Sequence, residues 1–112
     1  MSELEQLREN ILQFRDQRNW QQFHNPKDLA LSLSLEASEL LELFQWKTSE
    51  EAVEKNLDKM KDELADVLIY AILFANETDM DLVNIINNKL LKNNRKYPIE
   101  KFAGKNTKYN EI

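Results

Sequence analysis

Four acidic residues occupy positions where a helix would ordinarily place leucine. Glu36 and Glu39 lie in Leu-Ser-Leu-Glu-Ala-Ser-Glu-Leu-Leu, residues 33–41. Glu63 and Asp66 lie in Asp-Glu-Leu-Ala-Asp-Val-Leu-Ile-Tyr, residues 62–70. Residues three apart share a helix face. At 100° per residue, Glu36 and Glu39 fall on the stripe of Leu29, Leu33, Leu40 and Leu43. Glu63 and Asp66 fall on that of Met60, Val67, Tyr70 and Phe74. Carboxylates are rarely buried unless paired or metal-bound. One such pair alone would read as a solvated face, or as an ion pair of the Lys59–Glu63 kind. Two pairs on two apolar stripes favour a shared cation, since two carboxylates about 4 Å apart repel by roughly 4 kcal/mol at an effective dielectric near 20. An all-oxygen ligand set selects a hard ion, Mg²⁺ or Mn²⁺. With no Cys and one His, His24, the composition disfavours zinc and soft-metal sites.

The elements that must carry these acids read as helices throughout. A stripe of Leu4, Leu7, Ile11 and Phe14, with Ser2 and Glu5 as a capping box, predicts a first helix from Ser2 to about Arg18. Asn25-Pro26 starts a second, running to about Lys47. Thr48 and Glu51 start a third, running to about Asn76. Thr78 and Asp79 are expected to cap a fourth, ending near Lys96 before Pro98. The rest, 98–112, reads as an irregular tail with a turn at Gly104. The expectation is one all-α domain over 1–112, with four main helices and the metal-bearing pair at its centre. The second helix and the later half of the third are apolar nearly all round, which points to burial between subunits.

Bulk properties narrow the function. Net charge is −5, which argues against binding nucleic acid polymers. Residues 89–108 nevertheless hold seven Lys or Arg against one acid. An acidic cluster with a basic end suits a metal-chelated polyphosphate, although charge alone fits a solvated tail better. Met1–Asn10 has no apolar signal core, and the apolar run Val67–Ala75 is too short to span a bilayer. The absence of Cys fits a reducing compartment. A cytoplasmic protein without membrane contact is expected. Between Asn19 and Asn25, Trp20, Phe23 and His24 read equally well as a base-stacking wall or as a plug at the end of a bundle. Leu82, Ile85, Ile86, Lys89, Asn93 and Lys96 share a stripe on the fourth helix, which turns Lys89 and Asn93 inward.

Glu36-x-x-Glu39, 23 intervening residues and Glu63-x-x-Asp66 together resemble the metal signature of the all-α, MazG-like nucleoside triphosphate pyrophosphohydrolases. Further stretches resemble the dCTP pyrophosphatase branch of that superfamily. They are Arg18-Asn19-Trp20-Gln21-Gln22-Phe23-His24-Asn25-Pro26, Leu43-Phe44-Gln45-Trp46, Asp66–Tyr70, and the residues Lys89, Asn93, Arg95, Tyr97 and Pro98. The resemblance implies a four-helix MazG-like bundle that works as a homodimer or as a homotetramer built from dimers. It implies Mg²⁺-dependent hydrolysis of a nucleoside triphosphate between the α- and β-phosphates. Glu36, Glu39, Glu63 and Asp66 would hold the metal, and Glu39 is assigned as general base. Lys89 and Arg95 would neutralise phosphate charge, and Asn93 would hydrogen-bond phosphate or sugar. Trp20, His24, Trp46 and Tyr70 would enclose the base and deoxyribose. The alternative is a non-catalytic helical interaction module of the same fold; four intact acids argue against it.

Overall fold

The computed structural model describes residues 1–106. They form α1 (Glu3–Gln17), a 3₁₀ turn (Trp20–Phe23), α2 (Pro26–Glu42), α3 (Ser49–Glu77), α4 (Leu82–Lys96) and a short α5 (Ile99–Phe102). No strand occurs among the described residues. The chain divides into two compact units, one of Met1–Asp79 and one beginning at Met80.

The helix starts follow local chemistry. Ser2 Oγ accepts from the Glu5 amide at 3.1 Å and Thr48 Oγ1 from the Glu51 amide at 3.2 Å. Asn25 Oδ1 accepts from the Asp28 amide at 2.9 Å, with Pro26 as first helical residue. Each satisfies an amide that the first turn leaves without a partner. The start of α4 differs from expectation. Its cap is Asp81, whose Oδ1 accepts from the Asn84 amide at 3.0 Å. Thr78 instead closes α3, its hydroxyl donating back to Phe74 O at 2.8 Å. Asp79 follows in the left-handed conformation, φ 55°. α2 also ends earlier than expected, at Glu42. From there the amides of Leu43, Phe44 and Gln45 bond three residues back, to Leu40, Leu41 and Glu42, a tightened, unwinding end. The tail is not irregular at its start: Ile99–Phe102 forms one helical turn, and Tyr97 packs edge-on against Phe102 at 4.9 Å. Gly104 makes the expected turn at φ 78°. Residues 107–112 of the expected tail lie outside the described residues.

In the first unit α2 and α3 run antiparallel across the 43–48 connection. Asn56 Nδ2 donates to Leu43 O at 3.0 Å, and α3 departs from helical geometry at Asn56 (φ −118°, ψ 17°). The register so fixed carries Glu36 and Glu39 across to Glu63. α1 lies against the later half of α3, where Arg8 Nη1 donates to Asn76 Oδ1 at 2.9 Å. The core is Ile11, Leu29, Ala52, Met60, Ile72, Leu73 and Ala75.

Candidate metal centre and adjoining cavity

Glu36 and Glu39 come from the middle of α2 and Glu63 from the facing turn of α3. One carboxylate oxygen from each lies within 4.8 Å of the other two. At that spacing each ionised pair would repel by roughly 3–4 kcal/mol at an effective dielectric near 20. The folded chain relieves this with protons. Burial, hydrogen bonding to Glu39 and the charges of Glu39 and Asp66 push Glu36 up to about 7. Glu63 is also raised, first by its hydrogen bond to Glu39 and then by burial. Glu36 Oε2 and Glu63 Oε2 are buried and have no hydrogen-bond partner. Two orphaned oxygens beside a third carboxylate form a group that could hold a metal ion. Asp66 stands apart from this trio. It adjoins it along α3, close enough for its charge to act on Glu36 and Glu63.

A cavity of about 440 Å³ opens from the carboxylates and runs along α3. Glu36 and Asp66 line it together with Asn10, Ile11, Phe14, Arg15, Trp20, His24, Ile69, Tyr70 and Leu73. Trp20, His24 and Tyr70 thus line one cavity together with Glu36 and Asp66. Phe14 meets Trp20 edge-on at 5.8 Å. His24 is held below its usual pKa, chiefly by burial and then by Arg15. Its Nδ1 is buried without a partner.

Trp46 is not brought to the cavity. It follows α2 in the left-handed conformation, φ 63°, and is 92% exposed. Lys89, Asn93 and Arg95 stand on α4 in the second unit. Lys89 is exposed there rather than turned inward, Arg95 is exposed and Asn93 is half-buried. A long Lys stem readily carries its ammonium out to water. The residue that sequence reasoning passed over is Arg15. It is 6% exposed and lines the cavity. Arg15 lies four residues after Ile11, on the face of α1 that packing buries, whereas the apolar stripe of the sequence runs through Leu7 and Phe14.

A MazG-like family model matches residues 31–112. Human dCTP pyrophosphatase 1 is 37% identical over 114 aligned residues, spanning 97% of this chain and 67% of that protein. The rat protein of the same name is 36% identical with the same spans. The chain belongs to the MazG-like family. A solved structure agrees: a pyrophosphatase from Archaeoglobus fulgidus is 38% identical and superposes with a TM-score of 0.83, covering 88% of this chain and 94% of that one. Among the described residues no helix is long and apolar enough to cross a membrane.

Proposed function

We propose that the chain hydrolyses a deoxynucleoside triphosphate, as a dCTP-like substrate, to the monophosphate and pyrophosphate with Mg²⁺ or Mn²⁺ bound at Glu36, Glu39 and Glu63. Its class, nucleoside triphosphate pyrophosphohydrolase, follows from the family and from the dCTP pyrophosphatase relatives. The observation that carries the finer reading is the trio itself. Three carboxylates from two helices converge, and two of them keep a buried oxygen without a partner. A bound divalent cation supplies charge neutralisation on phosphate oxygens and a more acidic water.

The chain's own groups divide the remaining work. Glu36 and Glu63 face inward and hold the ion, with Asp66 completing the negative field. Glu39 is exposed and so reachable by solvent. We assign it to receive the proton of the attacking water. Phosphoryl transfer depends mainly on positioning and charge neutralisation; it is the resemblance that assigns Lys89 and Arg95 to the phosphates and Asn93 to a hydrogen bond with phosphate or sugar. The base lies in the cavity against Trp20, His24 and Tyr70, where aromatic walls exclude water and stack. Exposed apolar rows on α2 and α3 support a homo-oligomer. A reducing cytoplasmic setting fits a chain without Cys.

The test is release of pyrophosphate from a panel of dNTPs with Mg²⁺ and with EDTA, on the wild-type chain and Glu39→Gln. Turnover with Mg²⁺ only, reduced at least about 10²-fold in the variant, is the expected result. No release from any dNTP would leave the non-catalytic helical module.

A further inference from the structure

Arg15 is the charged group of the cavity that the reading above leaves unused. Its Nε–H donates to Asp16 Oδ1 at 2.8 Å, and Nη2 lies 2.8 Å from the same oxygen. Nη1 is 3.9 Å from Glu77 Oε2, too far for a hydrogen bond. Asp16 thus holds one edge of a guanidinium that is almost wholly buried, with Glu77 nearby as a second negative charge. Asp16 takes the Nε side, and Nη1 makes no hydrogen bond, so the fork formed by Nη1 and Nη2 retains donors. A buried Arg with unused donors lining a cavity calls for acceptors there.

Position along α3 says which part of a nucleotide would meet it. The carboxylates flank Glu63 and Asp66, whereas Arg15 lies beside Glu77, three turns further on. From Asp66 to Leu73, the last α3 residue lining the cavity, the helix rises about 10 Å. A triphosphate anchored at the carboxylates would therefore put its base, not its phosphates, at the Arg15 end. The chemistry of the fork then selects among bases. A guanidinium only donates. Cytosine offers two adjacent acceptors, O2 and N3. Uracil and thymine carry a donor, N3–H, between their two carbonyls, which would oppose an N–H of the fork. Unpaired or opposed polar groups in a closed site are the strongest source of discrimination.

We propose that Arg15 is a specificity-determining residue that reads the base edge and favours cytosine over uracil and thymine. This rests on the proposed activity and on the base lying in the cavity. Two variants separate it from a structural role. Arg15→Lys keeps a cation for Asp16 and Glu77 but lacks the planar fork. Arg15→Met keeps an apolar side chain in the site and no donor. The measurement is kcat/KM for dCTP, dUTP and dTTP, beside calorimetric binding of dCMP and dTMP, which needs no turnover. Wild type is expected to prefer the cytosine member at least about tenfold, the scale of one paired recognition contact. Both variants should bring the ratio within about threefold, through KM more than kcat. Arg15→Lys should melt near the wild type. Should Arg15→Met fail to fold, the Lys variant still decides. Equal losses on all bases, a ratio unchanged in Arg15→Lys, or a wild type that binds dCMP and dTMP alike would overturn the assignment. A wild type that binds dCMP selectively but releases no pyrophosphate would instead sink the activity and leave Arg15 as a base reader.

Discussion

At the residue scale the acid trio makes the metal-free chain sensitive to pH in an unusual direction. Glu36 has its pKa raised from 4.5 to about 7, and Glu63 moves the same way. Between those values the folded chain binds a proton that the unfolded chain has released. Stability rises with pH only where the unfolded state binds more protons, so here it must fall. The contribution of Glu36 is fully present below about 4.5 and is lost as pH rises through about 7. A cation reverses the sign, because it binds the ionised carboxylates and competes with their protons. In EDTA, melting temperature should therefore drop between about pH 5 and pH 8. In saturating Mg²⁺ or Mn²⁺ that drop should shrink or invert, with the metal worth about 2.7 kcal/mol at a hundred times its Kd. Equal melting in EDTA and Mg²⁺ at the higher pH would mean that the trio holds no ion.

At the scale of elements, α1, α2 and α3 each give way to a left-handed residue. These are Asn19 (φ 54°), Trp46 (φ 63°) and Asp79 (φ 55°). The chain has one glycine, Gly104, so no helix end in the first unit can use one. Asn and Asp tolerate this conformation; an indole does so at a cost of about 1–2 kcal/mol. Strain of this kind is kept where it serves a site or an interface. Trp46→Gly should thus leave stability unchanged or slightly higher, since relief of strain offsets the extra freedom of the unfolded chain. If the indole serves the base, KM should rise and base preference blur. Urea melts beside kinetics on two dNTPs check both halves; unchanged KM and preference would return Trp46 to an interface role. The same residue marks the limit of sequence reasoning. Caps at Ser2, Asn25 and Thr48 were legible because a cap is a contact three residues long. The acid pairs were legible because each violates a local stripe. Trp46 was not, since leaving the cavity depends on where α2 unwinds. Nor was Arg15, because the stripe read along α1 ran through Leu7 and Phe14, which are 48% and 51% exposed. Packing against Asn76 and Glu77 of α3 turns the buried face toward Ile11 and Arg15 instead, and no local period encodes that choice.

At the scale of the whole molecule the question is what covers the apolar side chains that one copy leaves in water. Val53, Leu57, Leu64 and Leu68 recur at helical spacing along α3 and are each 41–54% exposed. Beyond the break at Asn56, Leu57, Leu64 and Leu68 fall within about 40° of one another around the axis. On α2, Leu31 and Leu35 are 53% and 65% exposed, one turn apart. Rows of this kind on neighbouring helices exceed the scattered apolar residues normal on a monomer surface. A second copy offers the same rows, and a two-fold arrangement lets each meet its like. Burying apolar area returns roughly 25 cal/mol per Å². Light scattering should accordingly give an even multiple of the 13.3 kDa chain mass. Leu35→Glu and Leu68→Glu should shift that mass toward the monomer. Their circular dichroism should stay helical, because within one chain both side chains are more than half exposed. A wild-type chain that scatters as a monomer at tens of micromolar would assign these rows to something other than a second copy. Variants that lose helicity together with mass would show instead that the rows hold the fold of the single chain.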